Sequence, residues 1–340
     1  MKILRWLLLP FSLLYSLILT LRNLCYNKGW FTSTNFDLPI ICVGNLSVGG
    51  TGKSPMIEYL VRLLQKDYQL AILSRGYKRK TSGFYELTGN ETAKMVGDEP
   101  LQFKSKFDDI IVAVDEQRVR GVQTLLNLSH SPQVILLDDA FQHRKISPSF
   151  TILLTKHNEL YVDDFVLPTG NLREPRSGVT RADIVVITKC PNNISNHDMR
   201  RVKDRLTGIA HDRIFFSAIQ YDQSVFSSKG QTDLVKFVKT PFTLVTGIAD
   251  PSSLINKLRT YLNDFEVLSF PDHHNFTARE LAMLSSYSRI LTTEKDFTRL
   301  NGYLAQGVEL YYLPITSIIL DDERTFNELI TNHINEKRRI

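Results

Sequence analysis

The chain has 340 residues, 43% of them hydrophobic, which is enough to bury a substantial core and to form two domains. The formal net charge of +5 is modest and acidic residues alternate with basic ones over most of the length, so nothing points to nucleic acid as a partner. The three cysteines, Cys25, Cys42 and Cys190, lie far apart without metal-ligand spacing. They favour a reducing, cytosolic setting.

The N-terminal segment departs from this even mixture of charges. No charged residue lies between Arg5 and Arg22, and the first acidic residue of the chain is Asp37. Cations that stand unopposed around an apolar segment favour a membrane surface with anionic lipids.

This segment is short for a membrane span and has a polar stripe. Residues 6–21 would extend about 24 Å as a helix, less than the roughly 30 Å hydrocarbon core, and Ser12, Ser16 and Thr20 repeat at intervals of four. We therefore expect residues 1–27 to form a helix in the membrane interface rather than a full span. A secretory signal and a buried core helix are the alternatives.

Residues 39–55, PIICVGNLSVGGTGKSP, read as a strand, a glycine-rich loop and the start of a helix. Such a loop binds nucleotide phosphates through backbone N–H groups and the positive end of the helix dipole, while lysine reaches the β- and γ-phosphates. The strict pattern would have glycine where this chain has Ser47. The ATP-binding residues predicted here are Ser47, Val48, Gly49, Gly50, Thr51, Gly52, Lys53 and Ser54.

The next strand, residues 70–74, runs into the basic segment 75–80. Loops after the carboxyl ends of strands hold ligands in α/β sheets. Arg75, Lys78 and Arg79 are therefore candidates to bind an anionic substrate group, although a solvated charge run is an equal alternative. Asp98 then opens a helix, where an acidic residue is often only a cap.

The apolar strand 134–137 ends in Asp138 and Asp139. Phosphate-loop enzymes hold Mg²⁺ from such a position, and adjacent aspartates at a buried strand end are costly without a cation nearby. We expect Mg²⁺ as cofactor; the alternative is a solvent-facing turn. Gln142 and His143 follow directly.

Strands and helices continue to alternate after this point, which predicts mainly parallel sheets. The fold class is α/β: a P-loop NTPase-like α/β/α sandwich with a second, smaller α/β domain. We expect the N-terminal helix at 1–27, the P-loop domain at 28–219, a linker at 220–240 and the second domain at 241–340.

The motifs VGNLSVGGTGKSP, SRGYKRK, VGDEP, LLDDAFQHRK, LPTGNLREP, FPDHHNFT and TTEKD occur in this order. In this combination the chain resembles the tetraacyldisaccharide 4'-kinases, the lipid A kinases of Gram-negative bacteria. It departs from them at Ser47 and at Ala140, where the family commonly has glycine. The resemblance implies transfer of the γ-phosphate of ATP to the 4'-hydroxyl of a tetraacyldisaccharide 1-phosphate. It also implies that the protein acts at the cytoplasmic face of the inner membrane, to which the N-terminal helix attaches it. No obligate protein partner is expected.

The resemblance also implies roles for individual residues. Asp98 would take the proton of the sugar hydroxyl and would pair with one of two histidines, His273 or His274, with a slight preference for His273. The further residues implied in catalysis are Lys53, Asp139 and Arg173. The Mg²⁺ ligands implied are Ser54, Asp138 and Glu174. The residues implied in binding the acceptor are Arg75, Lys78, Arg79, Gln142 and His143.

Two other classes of protein remain as alternatives at this point. One is a membrane-tethered nucleotide switch or metal-insertion chaperone, for which the chain lacks a full Asn-Lys-x-Asp base-reading segment. The other is a soluble small-molecule kinase or ligase with a core N-terminal helix.

Overall fold

The computed structural model describes residues 5–272 and 274–339. Nine strands form the larger of two sheets. Numbered along the chain, they are β1 (Ile40–Asn45), β2 (Leu70–Ser74), β3 (Tyr85–Glu86), β4 (Ile111–Val114), β5 (Val134–Asp138), β6 (Phe150–Lys156), β7 (Ile184–Thr188), β8 (Ile214–Tyr221) and, after six strands of the second sheet, β15 (Ile315–Ile319).

The strand order is β15-β8-β7-β6-β1-β5-β2-β4-β3. The seven inner strands are parallel, and the two edge strands, β15 and β3, run antiparallel to their neighbours. Most inner strands are unbroken apolar runs, as expected when helices cover both faces of a parallel sheet. Strand β1 lies at the centre, and its Val43 is paired in register with Asp138 of β5.

Helices cover both faces of this sheet. They are α1 (Leu9–Asn27), α2 (Lys53–Leu64), α3 (Ala93–Val96), α4 (Asp98–Lys106), α5 (Arg118–Leu126) and α6 (Asn196–Arg205). Helix α2 buries Met56, Leu60 and Leu64 in one core, and α5 buries Val122 and Leu125 in the core on the opposite face. The α/β/α sandwich predicted from the sequence is therefore present.

The second sheet is smaller, with the order β10-β9-β14-β13-β11-β12. Its elements are β9 (Ser224–Ser227), β10 (Gly230–Asp233), α7 (Leu234–Phe237), β11 (Thr243–Thr246), α8 (Ser252–Arg259), β12 (Glu266–Ser269), α9 (Ala278–Leu284), β13 (Arg289–Thr292), α10 (Glu294–Leu300) and β14 (Glu309–Tyr312). Four strands are parallel and the hairpin β9–β10 is added antiparallel to β14.

Two boundaries differ from the expected ones. The segment 220–240, expected as a linker, contains the hairpin that extends the second sheet. The chain after residue 314 returns to the first sheet, because β15 pairs with β8 and helix α11 (Glu323–Arg339) buries Phe326, Ile330 and Ile334 in the first core. The second unit is thus inserted between β8 and β15.

Helix α1 lies on the outside of the first unit. Among the described residues it is the one helix that is long and apolar enough to cross a membrane, judged by length and composition. Of its most apolar 18-residue window only 6% is buried. Its exposed apolar side chains are Phe11, Leu13, Leu14, Tyr15, Leu17, Ile18, Leu21 and Leu24.

Candidate functional site

The phosphate loop connects β1 to α2 at the carboxyl edge of the central strands. The left-handed backbone at Gly49 and Gly52, with φ of +96° and +88°, requires glycine at both positions. The Asn45 side chain donates to Thr51 Oγ1 at 2.8 Å and so spans the loop. Because α2 begins at Lys53, the N–H groups of its first turn lack helical acceptors, as a phosphate site requires.

The serine that stands in place of the first loop glycine, Ser47, lies in extended backbone paired with another segment. Ser47 forms an antiparallel bridge with Leu172, an extended pairing that needs no glycine. On either side of it, Val48 N donates to Asn171 O at 2.8 Å and Arg173 N donates to Leu46 O at 2.6 Å. The segment 171–173 therefore pairs with the start of the phosphate loop.

The two aspartates at the end of β5, Asp138 in its last position and Asp139 directly after it, are in different environments. Asp139 lies 3.7 Å from Lys53 Nζ and accepts two hydrogen bonds from the Arg173 guanidinium, at 2.8 and 3.1 Å. Burial would raise the pKa of Asp139, but Lys53 and Arg173 outweigh it and lower that pKa to about 2. Asp139 is thus a fixed anion that holds both cations beside the loop.

Asp138 belongs to an acidic cluster instead. It accepts from Ser74 Oγ at 2.9 Å, and within the described part of the chain its Oδ1 is buried without a hydrogen-bond partner. Burial, followed by the charges of Glu99 and Asp139, raises the pKa of Asp138 to about 7. A cation at this position would relieve both the repulsion and the unsatisfied oxygen.

Glu99 is a site residue that the sequence analysis missed. Its Oε1 accepts from Ser54 Oγ at 3.0 Å and from Lys295 Nζ at 2.6 Å. Burial would raise the pKa of Glu99, but Lys295 and Lys53 lower it to about 2. The available signal was two consecutive acids in the first turn of α4: only one of them was considered, although both lie at the same helix start.

Asp98 faces the second unit. It pairs with the guanidinium of Arg299 in α10, whose Nε donates to Asp98 Oδ2 at 3.0 Å. Arg299 also donates to Asp296 at 3.0 Å. Asp98 lies on the wall of a cleft of about 1360 Å³ between the two units, which Lys78 and His274 also line.

One of two histidines, His273 or His274, is expected to pair with Asp98. His274 Nε2 lies 3.0 Å from Glu280 Oε2, and its ring stacks on Phe270 with 5.0 Å between centroids. Glu280 itself closes the capping box at the start of α9. The ring of His274 is thus engaged within the second unit, while His273 lies outside the described residues.

The basic segment after β2 divides into two parts. Arg75 and Lys78 are exposed, so they are available to a ligand. Arg79, expected to bind substrate with them, has a nearly buried side chain that forms an ion pair with Glu116 and donates to Gly83 O at 2.6 Å. It therefore holds the segment 76–83 in shape.

Glu174, expected as a metal ligand, is enclosed by donors. It accepts from both Arg181 Nη2 and Gln142 Nε2 at 2.8 to 2.9 Å, and from Asn23 Nδ2 at 3.3 Å. Gln142 Nε2 also donates to Asn45 O at 2.8 Å. Both residues thus support the end of β1, whereas the partner of Ser54 is Glu99.

His143 directly follows Gln142 in the chain. Burial, together with the positive charges of Arg118 and Arg75, lowers the pKa of His143 to about 4, so its imidazole is neutral at neutral pH. Across the described ranges, no three His, Cys, Asp or Glu side chains form a metal-binding group by themselves.

The chain is similar to known proteins over nearly its whole length. The family model described as tetraacyldisaccharide-1-P 4'-kinase matches residues 4–335. The tetraacyldisaccharide 4'-kinase of Flavobacterium johnsoniae is 47% identical over 99% of this chain and 99% of its own length, and that of Bacteroides fragilis is 42% identical over 99% and 95%.

Among solved structures, the fold is similar to a crystal structure of the "apo" form of LpxK from Aquifex aeolicus in complex with ATP. The TM-score is 0.77 at 31% identity, with 97% of this chain and 99% of that chain covered. With the match extending over nearly its whole length, the chain belongs to the tetraacyldisaccharide 4'-kinase family.

Proposed function

We propose that the protein transfers the γ-phosphoryl group of ATP to the 4'-hydroxyl of tetraacyldisaccharide 1-phosphate, the step of lipid A biosynthesis that forms lipid IVA. The observation that carries this proposal is the family match over residues 4–335, together with a phosphate loop whose Lys53 is held beside Asp139. Phosphoryl transfer depends mainly on positioning and on neutralising charge.

At the nucleotide end, the loop amides and Lys53 bind the β- and γ-phosphates. Arg173 offsets the charge on the transferring group, because its guanidinium is held in place by both Asp139 and Asn45. A fixed cation of this kind needs no reorganisation as negative charge develops.

At the acceptor end, Asp98 takes the proton of the 4'-hydroxyl, with His273 as its partner. Two observations support this choice: Asp98 lies on the cleft wall, and the ring of the neighbouring His274 is already engaged by Glu280. Exposed Arg75 and Lys78 bind the anionic acceptor as it enters.

The residues present fit Mg²⁺. The buried and unpaired Oδ1 of Asp138, the Ser54 hydroxyl and the Glu99 carboxylate are hard oxygen donors of the kind that this ion prefers. Glu99 takes the place that the sequence analysis gave to Glu174, because Glu174 is enclosed by donors. Bound there with ATP, the ion would neutralise phosphate charge.

We also propose that α1 attaches the protein to the cytoplasmic face of the bacterial inner membrane. Its exposed apolar side chains would lie in the lipid interface. The exposed Lys28 at its end favours anionic lipid headgroups, whereas Arg5 and Arg22 donate hydrogen bonds to the catalytic unit.

The test is incubation of the purified protein with Mg-ATP and tetraacyldisaccharide 1-phosphate in detergent micelles, with mass spectrometry of the lipid. The wild type adds one phosphoryl group. Lys53→Ala and Asp98→Ala lower kcat by about 10²-fold or more while the protein stays folded. The matched controls Lys66→Ala and Asp67→Ala, both at exposed positions, keep the wild-type rate. ATP hydrolysis without any change in the lipid would contradict the proposal and favour a nucleotide switch.

A further inference from the structure

Helix α1 is hydrogen-bonded to the catalytic unit through three of its polar side chains, those of Ser12, Arg22 and Asn23. Ser12, in the first half of the helix, is only 4% exposed although its neighbours on both sides face solvent. Ser12 Oγ donates to Thr169 Oγ1 at 2.8 Å, and Thr169 N donates to Ser12 Oγ at 2.9 Å. Buried polar groups paired in this way favour one position of the helix on the loop, because a shifted helix would leave these groups without hydrogen-bond partners.

Arg5 reinforces the same contact just before α1 begins. Its guanidinium donates to Pro168 O at 3.1 Å, to Gly170 O at 2.8 Å and to Asn171 Oδ1 at 3.1 Å. All four residues of segment 168–171 therefore form hydrogen bonds with Arg5 or Ser12.

The same segment continues directly into the catalytic site. Asn171 O accepts the amide of Val48 in the phosphate loop, and the following bridge joins Leu172 to Ser47. One residue later, Arg173 reaches Asp139. Only two residues separate Gly170, which Arg5 contacts, from Arg173, the arginine that we place on the transferring phosphoryl group.

The second half of α1 makes a parallel connection. Arg22 donates to Gln142 O at 3.0 Å, and Asn23 donates to Glu174 Oε2 at 3.3 Å. Gln142 in turn donates to Asn45 O, at the start of the phosphate loop. Both halves of the helix thus contact segments that position catalytic groups.

We propose that Ser12 is a positioning residue for phosphoryl transfer: by seating α1 on segment 168–171, it fixes the phosphate loop and Arg173. This inference rests on the proposed kinase function. It assigns to helix α1 a second role, distinct from membrane attachment: the position of the helix on segment 168–171 affects the geometry of the nucleotide-binding loop.

The test compares Ser12→Ala with Thr20→Ala, a matched hydroxyl deletion on the same helix. Thr20 is exposed and, within the part of the chain that the structure describes, its hydroxyl bonds only to the Ser16 carbonyl of its own helix. In the micelle assay, Ser12→Ala lowers kcat by about tenfold, as the loss of supporting contacts around a site typically does, with little change in KM for the lipid. Thr20→Ala keeps the wild-type kcat.

Two further measurements separate positioning from attachment and from stability. Both variants float with phosphatidylethanolamine–phosphatidylglycerol vesicles as the wild type does, and amide hydrogen exchange at residues 46–52 becomes faster in Ser12→Ala only. The double variant Ser12→Ala, Thr169→Val loses no more activity than Ser12→Ala, since the pair acts as one unit.

An unchanged kcat in Ser12→Ala would overturn the inference, as would a loss of activity that merely parallels a loss of vesicle binding. A wild-type protein without lipid kinase activity would instead overturn the proposed function, and the hydrogen-exchange comparison would still report on the seat of the helix.

Discussion

Arg173 shows how much of the site depends on a single planar side chain. Its guanidinium spans from Asp139, at the end of β5, to Asn45, at the end of β1, and Asn45 in turn bonds to Thr51 inside the loop. Lysine carries the same charge but only one nitrogen, so it cannot bond to both partners in the same geometry.

We therefore expect Arg173→Lys to lower kcat by about 10²-fold, because the cation near the transferring group loses its fixed orientation. Micelle-based kinase kinetics would measure this. Arg176→Lys, a control three residues along the same loop, stays within about twofold of the wild type. Equal rates for Arg173→Lys and the wild type would show that only the charge matters.

His143 contributes a pH dependence of stability. Its pKa of about 4 in the folded state lies below the unfolded value of about 6.5, so the unfolded chain binds a proton first as the pH falls. Folding stability is therefore full above pH 6.5 and decreases toward pH 4, by about 1–2 kcal/mol after allowance for partial exposure.

Urea unfolding at pH 7.5 and pH 5 would test this. His143→Gln should lose less stability between the two values than the wild type, while the exposed control His130→Gln should follow the wild type. A wild type and a His143→Gln variant with the same loss would exclude His143 as the source.

At the scale of elements, the structure joins segments that are distant in sequence. Helix α11 closes one face of the first core, where Phe326 makes edge contacts with Tyr59 of α2 and Phe215 of β8, with ring centroids 5.7 and 5.2 Å apart. The last helix of the chain thus supports the helix that follows the phosphate loop.

Phe326→Ala should lower the free energy of unfolding by about 3–5 kcal/mol, because it leaves a cavity under α2. Chemical denaturation followed by circular dichroism would measure the loss. Arg324→Ala, two residues earlier and largely exposed, should change stability by less than about 0.5 kcal/mol. A similar loss in both variants would mean that α11 does not share the first core.

Comparison of the sequence with the structure shows which information is local. The strand, loop and helix around Lys53 were predictable, since hydrophobic pattern, glycine spacing and helix start lie within 20 residues. Strand β15 was not, because ITSII is short and its partner β8 lies about 100 residues earlier. The pattern of alternating elements gives no indication of where a chain leaves one sheet for another.

The same limit applies to side chains. The sequence grouped Arg79 with Arg75 and Lys78 as ligand-binding residues. Only the tertiary structure shows that Arg79 forms an ion pair with Glu116 instead. Glu99 was overlooked for the converse reason: its partner Lys295 lies 196 residues away. Charge pairing across a cleft depends on packing, which no local pattern records.

At the scale of the whole molecule, α1 combines an exposed apolar face with polar side chains that hydrogen-bond to the catalytic unit. Leu13 and Leu17 are 63% and 55% exposed, so they contribute little to the fold and are available for the proposed lipid contact. The double variant Leu13→Ser, Leu17→Ser should bind vesicles at least about tenfold more weakly, with unchanged thermal stability.

Vesicle flotation would measure this binding. The control Val235→Ser, Met283→Ser removes two exposed apolar side chains from the second unit and should leave flotation unchanged. Unchanged flotation of the Leu13 and Leu17 variant would show that another surface attaches the protein.

The return of the chain to its first sheet has a consequence for biosynthesis of the protein. Strand β15 and α11 leave the ribosome only after the whole second unit, so the nucleotide-binding half cannot complete its sheet until the second unit has been synthesised, although most of that half is encoded first. The inserted second unit is free to fold earlier. A premature stop codon just before β15 would therefore damage the half of the protein that was synthesised long before it.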